Sequence, residues 1–110
     1  MNQKLITSLF IIATFIIILS VFIFLREEKA DVETSKCIGG KSLLYIKTGC
    51  SHCKVQEDLF GENFKYLNVR NCADTPEKCT EITAVPTWII NEKEYFGIQS
   101  IDKLKELTGC

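Results

Sequence analysis

The sequence lacks an excess of either charge. Its 110 residues hold 13 Lys and Arg against 14 Asp and Glu, a formal net charge of −1. Without a basic surplus there is no electrostatic footprint for nucleic acid, and no such partner is expected. No block of like charge forms a tail, no segment is low in complexity, and no internal repeat appears, which excludes solenoids and arrays. His52 is the only histidine, and Pro76 and Pro86 are the only prolines. Charge is missing altogether from residues 5–25, a run of 21 residues whose polar members are Thr7, Ser8, Thr14 and Ser20. A buried helix of a soluble protein is not expected there, because every face would be apolar. At about 1.5 Å per residue the run spans roughly 30 Å, the depth of a bilayer's hydrocarbon core.

That run is expected to be a transmembrane anchor, after a short N-terminal segment at residues 1–4. The competing reading is a cleaved signal peptide. The run is longer than a typical signal h-region, and no small-x-small cleavage site follows it closely. Ser35-Lys36-Cys37 is not a lipoprotein signal, since Lys36 stands where a small residue is required. Positive charge leaves the orientation undecided, with Lys4 before the span and Arg26 and Lys29 after it. Residues 26–36 are charged and polar without apolar periodicity and are expected to form an exposed linker. One small domain then occupies residues 37–110.

Cysteine, by contrast, is plentiful. Six of the 110 residues are Cys, and all lie after the apolar run. So high a count suggests an oxidising compartment or a metal site rather than an ordinary cytosolic domain, which favours the extracytoplasmic side for residues 37–110. In a domain this small, disulfides would also help a limited core.

The elements of the domain are readable in outline. Residues 43–47 form an apolar strand, and residues 51–60 a helix with Val55 and Leu59 inward and Gly61 ending it. Residues 64–69 form a second strand. Thr75 caps a short helix that starts with Pro76 and ends near Thr83. Residues 87–91 and 94–96 form a hairpin turning at Glu92-Lys93. Ser100 caps a last helix with Ile101, Leu104 and Leu107 on one face and Gly109 at its end. Tyr45, Phe64, Tyr66, Ile89 and Ile90 are expected in the core, and Trp88 either there or beside the site.

The chemistry concentrates at Cys50-Ser51-His52-Cys53. Two cysteines separated by two residues, at the first turn of a helix, bring their sulfurs within bonding distance. The free N–H groups and dipole of that helix end stabilise a thiolate, the species that attacks disulfides. Cys50 is thus the candidate nucleophile and Cys53 its partner. His52, between them, would tune the pair by stabilising the Cys50 thiolate; the plainer reading is a solvated loop histidine. A zinc site would want a second pair at similar spacing, and Cys72 and Cys79 are too far apart in sequence for that. Val85-Pro86-Thr87 is the second signal, because a proline just before a buried strand fits a cis bond.

Taken together, these stretches resemble the thioredoxin-like superfamily over residues 41–110. Gly49-Cys50-Ser51-His52-Cys53-Lys54, Leu59-Phe60-Gly61, Glu81-Ile82-Thr83 and Pro86-Thr87-Trp88-Ile89-Ile90-Asn91, followed by Tyr95 and Gly97, are similar to the thioredoxin-like domain fused to, or partnered with, prokaryotic vitamin K epoxide reductase homologues. The resemblance implies an α/β fold in the order β-α-β-α-β-β-α, with a four-stranded mixed sheet flanked by helices. It implies an extracytoplasmic thiol–disulfide oxidoreductase that exchanges disulfides with secreted proteins and needs no dissociable cofactor. Cys50 is then the exposed nucleophile, Cys53 the resolving thiol, Pro86 the cis-proline facing them, and Val85 the residue that pairs with a bound peptide. With one span and no reductase domain, a separate quinone-linked membrane enzyme is implied as partner.

Cys72 and Cys79 match a second cysteine pair of that family, either a structural staple or an electron relay. In this fold the last helix packs beside the first strand, so Cys37 and Cys110 could pair; otherwise they remain thiols or bridge between molecules. Two further readings stay open: a reductase or isomerase running the same chemistry backwards, and a metal-binding module built on Cys50, His52 and Cys53.

Overall fold

The structure is a computed structural model that describes residues 2–25 and 29–110. The apolar run forms helix α1 (Gln3–Phe24), none of whose residues is buried. Its 22 residues correspond to about 33 Å. It is a helix long and apolar enough to cross a membrane.

The polar stretch after it departs from the expected linker. Residues 26–28 lie outside the described residues, but from Asp31 onward the chain is helical: α2 (Val32–Lys41) is capped by the Asp31 carboxylate, which accepts the Thr34 N–H at 2.7 Å. The cap N–H holds the Asp31 carboxyl below its ordinary range. This helix buries Ser35, Ile38 and Gly39 rather than a stripe of large apolar residues. Small residues bring backbones together without raising local hydropathy, so the pattern looked solvated. Gly39 shows how close the approach is: a Cβ there would lie 2.1 Å from the Tyr66 carbonyl oxygen. Ala30 is also held, its N–H donating to Leu59 O and its carbonyl accepting from Asn63 Nδ2, both at 3.0 Å. The folded unit therefore begins near Ala30 and not at Cys37.

Four strands follow: β1 (Ser42–Ile46), β2 (Val69–Asn71), β3 (Thr87–Ile90) and β4 (Lys93–Phe96). They form one mixed sheet in the order β2-β1-β3-β4. β1 runs parallel to β2, with Leu44 opposite Val69, and antiparallel to β3, with Leu44 opposite Trp88. β4 pairs antiparallel with β3. The parallel β1–β2 pair needs a crossover, supplied by α3 (Ser51–Asp58) and a 3₁₀ stretch at Gly61–Tyr66. Helix α4 (Ile101–Thr108) closes the chain against α2. It is capped by Ser100, whose hydroxyl accepts the Lys103 N–H, and ended by Gly109 at φ 74°. Leu104 and Thr108 are its buried members.

The core gathers Ile38, Leu44, Phe60, Trp88, Ile90 and Leu104 between sheet and helices. On the other face of the sheet Tyr45 is buried beneath Arg70, which donates to the Tyr45 hydroxyl at 3.1 Å and lies over its ring. Phe64 and Ile89 are only half-buried, and Tyr66 sits at the edge with Lys36 and Lys65 over its ring.

Four expected elements differ. Residues 64–66 belong to the 3₁₀ stretch that meets α2, so β2 begins only at Val69. The helix expected after Thr75 is a single 3₁₀ turn, Pro76–Lys78. There the Asn71 carbonyl takes the N–H groups of Asp74 and Thr75 and the Thr75 hydroxyl, so Thr75 closes a turn instead of capping a helix. In α3 the inward residues are Cys53 and Gln56, while Val55 is 47% exposed. The hairpin turns at Asn91 and Glu92, both at positive φ, one residue earlier than expected.

Candidate active site

The site forms where β1 ends and α3 begins. Thr48 and Gly49 make the turn, with Gly49 at φ 85°, a conformation costly for residues with a Cβ. Asn71, at the end of neighbouring β2, holds this turn: its Nδ2 donates to Thr48 Oγ1 at 2.9 Å and its Oδ1 accepts the Thr48 N–H at 3.3 Å. Cys50 then stands as the N-cap of α3, and its Sγ accepts the Cys53 N–H at 3.1 Å. A sulfur in the position of a capping oxygen receives one of the orphan N–H groups of the helix, and the positive end of the helix favours negative charge on it.

Cys50 and Cys53 are joined in a disulfide with their Cα atoms 5.2 Å apart. Cys50 is half-buried and Cys53 buried, so an incoming group can reach only the outer sulfur. Ser51 and His52 are exposed on the first turn. Further along α3, the Lys54 ammonium is engaged by the Asp58 carboxylate at 2.9 Å; that bond, with the nearby Glu57 charge, raises the Lys54 pKa. Among the described residues no three of His, Cys, Asp and Glu converge as a metal-binding group.

The segment before β3 faces the pair. The Val85–Pro86 peptide bond is cis, and the Val85 carbonyl oxygen lies 3.8 Å from Cys50 Sγ. Pro86 is buried, and its carbonyl accepts the Gly97 N–H at 2.8 Å. Thr87 Oγ1 donates back to the Ala84 carbonyl at 2.7 Å, which fixes the turn into β3. Cys50, Cys53, Val85 and Pro86, far apart in sequence, are thus brought together.

The other cysteines are also paired. Cys72 is bonded to Cys79, across the turn that replaces the expected helix, and Cys37 is bonded to Cys110. The Cys72 N–H donates to the Ile46 carbonyl at 2.8 Å, so this pair hangs from the end of β1. A cleft of about 380 Å³ is lined by Cys72, Cys79, Pro76, Ile82 and Val85, among others, so the second pair and the residue before the cis proline share one depression.

Sequence reasoning passed over Gln56 and Asn71. Gln56 stands three residues after Cys53 on the same helical face, a spacing that marks it as inward-facing. It is fully buried. Its carboxamide oxygen accepts Trp88 Nε1–H at 3.0 Å and the Gln99 N–H at 2.7 Å, and its nitrogen donates to the Gln99 carbonyl at 3.0 Å. Trp88 is accordingly a fully buried core residue with a polar anchor behind the site.

No family model matches the chain. The chain is similar to the thiol-disulfide oxidoreductase LTO1 of Arabidopsis thaliana, with 39% identity over 83 residues. The match covers 66% of this chain and 22% of that protein, so the chain spans about a fifth of the length of the curated relative it matches.

Proposed function

We propose that this protein is a membrane-anchored thiol–disulfide oxidoreductase whose extracytoplasmic domain has a thioredoxin-like fold. The observation that carries the reading is the Cys50–Cys53 disulfide at the start of α3, with its outer sulfur against the Val85 carbonyl. The similarity to LTO1, a protein named for this chemistry, supports it. So does the sheet order, with β1 and β2 parallel and β3 and β4 added antiparallel. The anchor is α1 and the catalytic domain runs from about Ala30 to Cys110. All six cysteines are in disulfides, which suits an oxidising compartment.

In the oxidising direction a substrate thiolate attacks Cys50 Sγ. The Cys50–Cys53 bond breaks, and Cys53 leaves as a thiolate and takes up a proton. A second substrate thiolate then attacks the substrate sulfur of the mixed disulfide. Cys50 departs as a thiolate into the bond from the Cys53 N–H. The substrate has lost two electrons and two protons and gained a disulfide; the pair has been reduced. Val85 offers backbone groups to an extended substrate beside the reacting sulfur, a form of strand addition. His52 tunes the thiolate from the exposed first turn. Protein thiols are the substrates, and a quinone-linked membrane enzyme resembling vitamin K epoxide reductase accepts the electrons and restores the disulfide.

The test is the reduction potential of the Cys50–Cys53 couple in the detergent-solubilised chain, equilibrated in glutathione buffers and read by thiol trapping and mass. A potential near the roughly −120 mV of strong periplasmic oxidants is expected. A value near roughly −270 mV would assign the reductant direction instead. A pair that forms no disulfide and retains a metal would sink the redox reading.

A further inference from the structure

We infer that Gln56 is a positioning residue that holds the peptide-binding segment Val85–Pro86 at a fixed distance from Cys50, and so determines how well protein thiols, as opposed to small thiols, react. This rests on the oxidoreductase reading above. Gln56 is the inward residue of α3 one turn beyond Cys53, on the helix whose first turn carries both reactive cysteines. From there it makes two separate links to the opposite wall. One runs to Trp88 Nε1, on β3 two residues after Pro86. The other runs to both backbone groups of Gln99, in the segment whose Gly97 N–H donates to the Pro86 carbonyl. The two links converge on Pro86 from either side.

The orientation of the carboxamide is unambiguous. Trp88 Nε1 and the Gln99 N–H are both donors and must face the oxygen, while the Gln99 carbonyl must face the nitrogen. Gln56 and Trp88 are both fully buried, so water does not compete for these bonds. A leucine or methionine would fill the same space without fixing the helix against the strand. The polar group there sets a geometry, and the geometry in question is the 3.8 Å separation of Cys50 Sγ from the Val85 carbonyl oxygen. An extended peptide that pairs with Val85 must present its sulfur to Cys50 across that gap. A small thiol, which does not pair with Val85, has no such requirement. Displacement of reacting groups by a fraction of an ångström is costly to rate when the substrate is held at a second point.

The experiment compares oxidation of two dithiols by the full chain in detergent: dithiothreitol, and a ten-residue extended peptide with two cysteines, each of which closes its own disulfide. Wild type is measured beside Gln56→Met, which keeps the length and packing but removes all three bonds. Trp88→Phe is the milder second variant, removing one bond and keeping an aromatic ring. The peptide-to-dithiothreitol ratio of second-order rate constants is expected to fall about tenfold in Gln56→Met and about threefold in Trp88→Phe. A merely structural role would lower stability and scale both rates alike, leaving the ratio unmoved; an unmoved ratio in both variants overturns the inference alone. Wild type inert toward both thiols overturns the oxidoreductase reading, and the inference with it.

Discussion

Cys50 and Cys53 sit three residues apart and differ in one physical respect that bears on the proposed roles: the first is half-buried and the second buried. An attacking sulfur can approach Cys50, while Cys53 can reach only its neighbour. Replacing Cys53 by Ser in the reduced protein should therefore trap the protein on a disulfide substrate, since the mixed disulfide at Cys50 has no internal thiol to release it. The trapped species should be visible as a reducible mass increase on a non-reducing gel. Cys50→Ser should give none, and equal trapping by both variants would reverse or abolish the assignment. Gly39 is the other position where one atom decides the outcome. Its missing Cβ is replaced by the carbonyl oxygen of Tyr66, a backbone atom that cannot rotate away. Gly39→Ala must push α2 off the 61–66 segment, at about 1–3 kcal/mol. A thermal midpoint lower by several degrees is the expected result; an unchanged midpoint would mean that α2 is not packed as described.

Among the elements, the β3–β4 hairpin carries a strain that can be removed. Asn91 and Glu92 lie at φ 51° and 65°. Two left-handed residues in a row suit the twist of a tight hairpin, and the preferred pair there is Asn-Gly. Asn91 already fits, while Glu92 carries the cost of a Cβ in that region. Glu92→Gly should stabilise the fold by about 0.5–1 kcal/mol, less than the full left-handed penalty because glycine loses more entropy on folding. Chemical denaturation of both proteins checks this, and destabilisation would show that the Glu92 side chain has a partner in solution. The elements also show what a sequence reveals and hides. The apolar runs of α1, β1 and β3 were legible because large side chains mark them, and the last helix because Ser100, Leu104 and Gly109 each obey a local rule. Helix α2 was hidden because Ser35 and Gly39 bury backbone, not hydrophobic bulk. The inward face of α3 was read in part: Leu59 is buried as expected, but the buried residues within the helix are Cys53 and the polar Gln56, and Val55 points outward. The helix expected after Pro76 gave way to a turn gathered on the Asn71 carbonyl, three and four residues back, while the Asn71 side chain is held by Thr48, 23 residues away, a link that no window of sequence contains. Cys50, Cys53 and Pro86 could be proposed as site residues from the sequence because their chemistry is local; Gln56 and Asn71 could not, because their partners lie 43 and 23 residues away.

For the whole molecule, the bond with the widest reach is Cys37–Cys110. It joins α2 to Cys110, two residues after α4, across a separation of 73 residues, nearly the full folded unit. In the chain-entropy account a bridge that closes so long a loop restrains the unfolded chain by about 4 kcal/mol. For a domain with a small core that is a large share of its stability. The double variant Cys37→Ala/Cys110→Ala should therefore lose about 2–5 kcal/mol, measured by denaturant unfolding with the other two disulfides intact. The same variant separates a staple from a carrier of electrons. A staple acts equally on the oxidised and reduced forms of the Cys50–Cys53 pair, so the potential of that pair should move by less than about 15 mV, equivalent to roughly 0.7 kcal/mol. A larger shift, with little loss of stability, would instead join Cys37 and Cys110 to the redox path. The Cys72–Cys79 bridge closes a much shorter loop, with a separation of 7 residues. It shares its cleft with Val85, so its removal should cost less stability than that of Cys37–Cys110 and disturb reaction with peptide thiols more.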